Sequence, residues 1–182
     1  SGKSSLLRAI AGLWRSGKGD ITRPELTSLM FLSQKPYMSL GSLRDQLLYP
    51  HVRTDLSDAD LIAALEQANV GFLATRYPGG LDGFPGEGQE GVFRPWSDEL
   101  SPGEQQRLAF ARLLIARPKF VFLDEATSAL DIANEELLYR TLQTIGATYV
   151  SVGHRPSLDG YHHQSLTLAG DGKWELLQNT KK

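Results

Sequence analysis

The chain opens on Ser1-Gly2-Lys3-Ser4-Ser5, the closing half of a phosphate-binding loop of the form G-x-x-x-x-G-K-[ST]. In such a loop the backbone N–H groups around Gly2, Lys3, Ser4 and Ser5 line a helix N-terminus and surround a phosphate. Lys3 neutralises β- and γ-phosphate oxygens, and the Ser4 hydroxyl is a ligand for Mg²⁺. Taken alone, Gly-Lys-Ser fits a solvated N-terminal segment equally well. A second candidate centre is Phe120-Val121-Phe122-Leu123-Asp124-Glu125, an apolar run that ends in two carboxylates. A buried parallel strand delivers Asp124 at its carboxyl end, where open α/β sheets bind ligands. There Asp124 holds Mg²⁺ through water, and Glu125 polarises the water that attacks a γ-phosphate. The same residues alone also fit a strand that runs into an acidic surface turn. The third stretch is Leu100-Ser101-Pro102-Gly103-Glu104-Gln105-Gln106-Arg107. Ser101 suits a helix N-cap, Pro102 the first helical position, and Glu104 the reciprocal place of a capping box.

These residues need elements to position them. Ser4 to Ala11 reads as a helix stopped by Gly12, and Thr27 to Ser33 as a buried strand. Ser42 to Leu48 is a short helix, and Ser57 caps a longer one that Gly71 follows. Tyr77 to Pro95 is rich in glycine and proline and reads as an irregular loop. Gly103 to Ala116 is helical and ends before Pro118; Phe120 to Leu123 is a central parallel strand. Ile132 to Ile145 is an amphipathic helix, and Thr148 to Val152, Gln164 to Ala169 and Lys173 to Gln178 are strands. Helix and strand at both ends with a helical middle predict a parallel-sheet α/β core with a helical lobe inserted near Leu40 to Arg117.

Composition sets the outer limits. Apolar residues make up 41% of the 182 and charged residues 22%, the balance of an ordinary globular domain. A formal net charge of −2 gives no sign of a nucleic-acid or anionic-membrane surface. Zero cysteines exclude a disulfide framework and thiolate metal sites. No apolar run reaches the ~18 residues that span a bilayer. With no initiator Met and half a loop at its start, the sequence reads as a fragment expected to bind ATP poorly by itself.

At LSPGEQQR the resemblance to a known family becomes plain: the stretch is similar to the LSGGQ signature of ATP-binding-cassette ATPases, with Pro102 in place of a glycine. Gly2-Lys3-Ser4 then resembles the end of Walker A, and Asp124-Glu125 the end of Walker B. Ser33-Gln34-Lys35-Pro36-Tyr37 resembles the Q-loop, Ser128-Ala129-Leu130-Asp131 the D-loop, and Ser151-Val152-Gly153-His154-Arg155 the H-loop. Asp131 alone suits a helix N-cap just as well. The motifs occur in the family's order and span nearly the whole chain. The resemblance implies a P-loop NTPase (RecA-like) core over residues 1–39 and 118–182, lacking its N-terminal strands, with a helical signature subdomain over 40–117. It implies ATP and Mg²⁺ as ligands: Ser4, Gln34 and Asp124 at the metal, and Gly2, Lys3, Ser4 and Ser5 at the phosphates. Glu125, His154 and Gln34 would serve hydrolysis. Ser101, Gly103, Glu104 and Asp131 would meet the nucleotide held by a second copy.

Met30 to Pro50, together with Gly12-Leu13-Trp14, Trp96-Ser97 and Gly153 to Leu158, resembles subfamily D of the ABC transporters. That group includes peroxisomal fatty-acyl exporters and bacterial relatives of the SbmA/BacA and YddA type, toward which the Glu-Gln-Gln-Arg form leans. The resemblance implies an ATPase that powers a membrane transporter from the cytoplasmic face, as a homodimer. A transmembrane domain of the same parent chain would dock at Gln34 to Leu43, where Pro36, Tyr37 and Met38 offer apolar surface or else pack against the helical lobe. Two rivals share the motifs: a cassette ATPase of DNA repair or translation, and a nucleotide-binding module without catalysis. Missing coiled-coil segments and near-zero charge oppose the first, and Glu125 with His154 the second. Of four histidines only His154 has such a context; His51, His162 and His163 are expected to be solvated, and His162-His163 is too thin for a metal site.

Overall fold

In the computed structural model all residues are described except 1, 15, 51–54, 87–93, 170–171 and 180–182. Helix α1 (Lys3–Ile10) follows directly on Gly2, whose φ of 79° lies in the left-handed region open to a residue without Cβ. Gly12 takes the same φ, and its N–H closes back on Ala9, ending the helix as its position in the sequence predicts. Strand β1 (Leu29–Ser33) starts later than expected, because a 3-10 turn at Leu26–Ser28 uses Thr27 and Ser28. The Ser28 hydroxyl holds that turn by donating to the Glu25 carbonyl.

Between β1 and the next strand lie helices α2 (Leu43–Leu48), α3 (Asp58–Gln67), α4 (Leu73–Arg76), α5 (Trp96–Glu99) and α6 (Pro102–Ala116). Ser42 with Asp45, Ser57 with Asp60, and Ser101 with Glu104 each form a capping box that starts α2, α3 and α6. Neither α4 nor α5 is signalled by the sequence, and four residues are too few to hold a helix by propensity. Tertiary burial holds α5 instead: Trp96 is fully buried, meets the Tyr77 ring edge-on, and donates from Nε1 to the Gly41 carbonyl at 2.8 Å. Helix α6 packs on α2 and α3 and also reaches β1, so it joins the helical segment to the sheet. Its Leu108, Phe110 and Leu113 are buried in the main core with Leu43, Leu47, Leu61 and Leu65.

Strand β2 (Phe120–Asp124), helix α7 (Ile132–Thr144) and strand β3 (Thr148–Val152) complete the α/β core. The three strands run parallel in the order β1-β2-β3, with Ser33 beside Asp124 and Asp124 beside Val152. The central strand is the apolar one, because both of its faces are covered. Strands β4 (Gln164–Leu168) and β5 (Trp174–Gln178) pair with each other as an antiparallel hairpin. Among the described residues no helix is long and apolar enough to cross a membrane.

One expectation is corrected here. His162 is half-buried rather than solvated, because a 3-10 turn at Pro156–Tyr161 folds it back over β3. Its Nδ1 lies 2.8 Å from the Leu158 carbonyl and its Nε2 2.9 Å from Ser151 Oγ, which also accepts from the Tyr139 hydroxyl. Burial pushes the Tyr139 phenol up to about 12, so it stays a donor at neutral pH. His163 is exposed, and His51 lies outside the described residues.

Candidate functional site

The parallel register lines up the carboxyl ends of the three strands, and α1 begins beside them. At that point the Ser4 hydroxyl donates to Asp124 Oδ1 at 2.8 Å, over 120 residues of sequence. A carboxylate and a hydroxyl oxygen at this spacing suit a hard divalent cation that keeps water and phosphate as its other ligands. Among the described residues no group of three or more His, Cys, Asp or Glu is placed to hold a metal ion.

The backbone turns sharply after Asp124. Glu125 has φ 51°, an uncommon conformation for a residue with a side chain, held by its N–H donating to the Val152 carbonyl at 2.9 Å. That turn brings Glu125 Oε1 within 3.3 Å of His154 Nε2, two residues beyond the end of β3. The Lys3 ammonium lies 3.3 and 3.4 Å from the two ring nitrogens of His154. Lys3, Ser4, Asp124, Glu125 and His154 thus come together from α1, β2 and β3. Gly2 and Ser5 flank Lys3 and Ser4, and Gly2 at the N-cap has no side chain to occupy the leading N–H groups of α1.

Gln34 directly follows β1, at the same sheet end, with its side chain exposed. Ser101, Gly103 and Glu104 stand at the start of α6, where among the described residues Ser101 and Glu104 bond to each other rather than to the Lys3–Glu125 group. The Ser101 hydroxyl accepts from the Glu104 N–H at 3.3 Å, and the Glu104 carboxylate accepts from the Ser101 N–H at 2.7 Å. Burial raises the Glu104 carboxyl, but the Ser101 hydroxyl and N–H together hold it below the usual range. Gly103 is packed so closely that an added Cβ would stand 3.1 Å from the Ala129 carbonyl oxygen. Asp131 is the N-cap of α7: its Oδ1 accepts from the Asn134 N–H at 2.8 Å, and that bond lowers its pKa. In the loop after β1, Tyr37 and Leu40 are exposed, whereas Met38 turns inward against the core.

Several residues that hold these loops were not assigned a role from sequence. Arg112 is buried, and no carboxylate pairs with it among the described residues. It donates to the Tyr37 carbonyl at 2.7 Å, to the Gln46 carbonyl at 2.5 Å and to Gln46 Oε1 at 3.0 Å. Burial lowers its pKa to about 10, which leaves it charged at neutral pH. Gln46 in turn brackets Ser39, accepting from its N–H and donating to its carbonyl. Arg155 pairs with the buried Glu135 at 3.1 Å and donates to the Ser128 and Leu130 carbonyls at 3.2 and 2.9 Å. The available signal was a polar residue on a buried face: Gln106 shares the phase of Phe110 and Leu113 along α6.

A parallel sheet whose strand ends gather a lysine at a helix start, a hydroxyl, two carboxylates and a histidine has the residue set of a P-loop nucleotide-binding site. The comparisons place it further. The family model for ABC transporters matches residues 1–128, and the chain belongs to that family. It is 51% identical to an uncharacterized ABC transporter ATP-binding protein of Synechocystis sp., over 97% of this chain and 25% of that protein. It is 43% identical to ABC transporter D family member 2, chloroplastic, of Arabidopsis thaliana, over 93% and 29%. It is 44% identical to the human lysosomal cobalamin transporter ABCD4, over 98% and 29%. These relatives meet the expected likeness to subfamily D, and the chain spans between 25% and 29% of their length. Among solved structures, a bacterial Atm1-family ABC exporter with ATP bound superimposes with a TM-score of 0.73 at 26% identity, over 92% of this chain and 30% of that one.

Proposed function

We propose that this chain is the ATP-binding and ATP-hydrolysing part of a membrane transporter, working at the cytoplasmic face. The observation that carries the reading is the meeting of Lys3, Ser4, Asp124, Glu125 and His154 at one end of the sheet. Residues 1–39 and 118–182 form the ATPase core and 40–117 the helical signature subdomain. Gly2, Lys3, Ser4 and Ser5 bind the phosphates of ATP, with the N–H groups of α1 and the Lys3 ammonium as donors. Ser4, Asp124 and Gln34 would hold Mg²⁺, which would supply positive charge to offset that of the ATP phosphates.

Glu125 accepts a hydrogen bond from the attacking water and orients it in line with the γ-phosphate. His154, at 3.3 Å, keeps the Glu125 carboxylate in that pose, and the Lys3 ammonium lies 3.3 Å from its Nδ1. Ser101, Gly103 and Glu104, with Asp131, complete the site of a second copy. Proline at 102 removes one N–H from the start of α6, so the Ser101 hydroxyl and the Gly103 N–H carry the contact. A transmembrane domain of the same parent chain engages the Gln34 to Leu43 region, where exposed Tyr37 and Leu40 support such a contact. The transporter names of the relatives support coupling to transport.

The test is Glu125→Gln in the full-length protein. The carboxamide keeps the shape of the side chain and loses its basicity, so turnover should fall by about 10²- to 10³-fold with ATP still bound. Turnover at the wild-type rate would remove Glu125 from this role.

A further inference from the structure

Gln106 sits on the second turn of α6 and is 3% exposed. Its carboxamide is used at both ends. Nε2 donates to the Gln34 carbonyl at 2.9 Å and to Ser128 Oγ at 3.3 Å, while Oε1 accepts from the Ala129 N–H at 3.0 Å. The partners fix its orientation: a flipped amide would set N–H against the Ala129 N–H and oxygen against the Gln34 carbonyl. No charged side chain could do the same work, since an ammonium accepts nothing and a carboxylate would oppose the Gln34 carbonyl.

One buried side chain therefore ties together three segments. Gln34 leaves β1 at the candidate ATP site. Ser128 and Ala129 precede α7. Helix α6 carries Ser101 and Gly103 at its start. Each segment is also gripped elsewhere: Arg112 of α6 holds the Tyr37 carbonyl, and Arg155, next to His154, holds the Ser128 and Leu130 carbonyls. A shift of the backbone at Gln34 then cannot leave α6 and residues 128–130 behind without breaking these hydrogen bonds.

We propose that Gln106 is a positioning residue that carries displacement of the Gln34 loop to the start of α6 and to the Ser128–Leu130 segment. It thereby couples the state of one ATP site to the surface offered to the second copy. This rests on the function proposed above and adds to it a residue and a route.

The experiment uses the full-length protein in lipid vesicles, with Gln106→Met and Gln106→Glu beside Glu125→Gln. ATP turnover is followed against ATP concentration, and ATP binding by calorimetry. Both Gln106 variants should lose at least about fivefold in kcat and show a Hill coefficient falling toward 1, the low end of a site-to-site coupling. ATP affinity should stay within about twofold, since the Gln106 carboxamide bonds to Gln34, Ser128 and Ala129 and not to Lys3 or Ser4. Unchanged kcat and Hill coefficient would overturn the proposal. So would a loss of kcat that only follows the loss of folded protein on thermal melting. If Gln106→Met does not fold, Gln106→Asn serves: it keeps the amide but falls one methylene short of both segments. Hydrolysis surviving Glu125→Gln would instead overturn the underlying ATPase reading, whatever the Gln106 variants do.

Discussion

The carboxyl end of the parallel sheet and the start of α6 spend their polar side chains in opposite ways. At the sheet end, Lys3, Ser4, Asp124, Glu125 and His154 face one another across three elements, and none of them caps a helix or fills the core. At the start of α6, Ser101 and Glu104 are bound to each other in a capping box, and Gly103 is pressed against the Ala129 carbonyl. A side chain with no structural duty can be replaced with little effect on the fold. A cap cannot, so the candidate ATP contacts of α6 are inseparable from the stability of the helix that presents them. Proteins that place a binding surface on a helix start accept this linkage, because free N–H groups and caps occupy the same turn.

The contrast can be broken or sharpened by substitution. Asp124→Asn should weaken Mg²⁺-supported ATP binding by about 10- to 100-fold, the scale on which metal-site partners act, with the unfolding midpoint little changed. A large fall in midpoint would show that the sheet end also carries structural load. Arg112→Met should act the other way. It strands the Tyr37 and Gln46 carbonyls in the interior, and urea denaturation should register a loss of about 2–4 kcal/mol. A loss under about 1 kcal/mol would mean that the loop after β1 does not depend on α6.

Ser101→Ala should show the smallest effect and the most informative one. Removing the cap should destabilise by about 1 kcal/mol at neutral pH. The Glu104 carboxyl is held below its ordinary value, so its share of the capping box is fully present above about pH 4.3 and fades as pH falls through its lowered value. The stability gap between wild type and Ser101→Ala should therefore narrow on acidification below about pH 4. A gap that stays constant to pH 2 would show that Glu104 does not share the cap.

Much of the architecture was legible because local rules carried it. The cap at Ser57 and the capping box at Ser101 announced α3 and α6, and the apolar run before Asp124 announced the central strand. The elements that escaped are those held only from outside themselves. Helix α5 exists because Trp96 is buried and bonded to Gly41, 55 residues away in sequence. The 3-10 turn at Pro156–Tyr161 is held against β3 by contacts of His162 and Tyr149, which is why His162 was misplaced as solvated.

The sequence by itself determined which residues are candidates for the chemistry. Lys3 with Ser4, Asp124 with Glu125, and Ser101 with Gly103 are short patterns whose residue types and adjacency define their roles locally. Only the tertiary structure decided how these patterns are tied together. The Ser4–Asp124 bond, the Lys3–His154 approach and the grip of Gln106 on Gln34 and Ala129 each join residues many positions apart. A buried carboxamide looks in sequence like any glutamine on a helix. Its partners exist only once the parallel register and the packing of α6 have brought three loops within hydrogen-bonding distance.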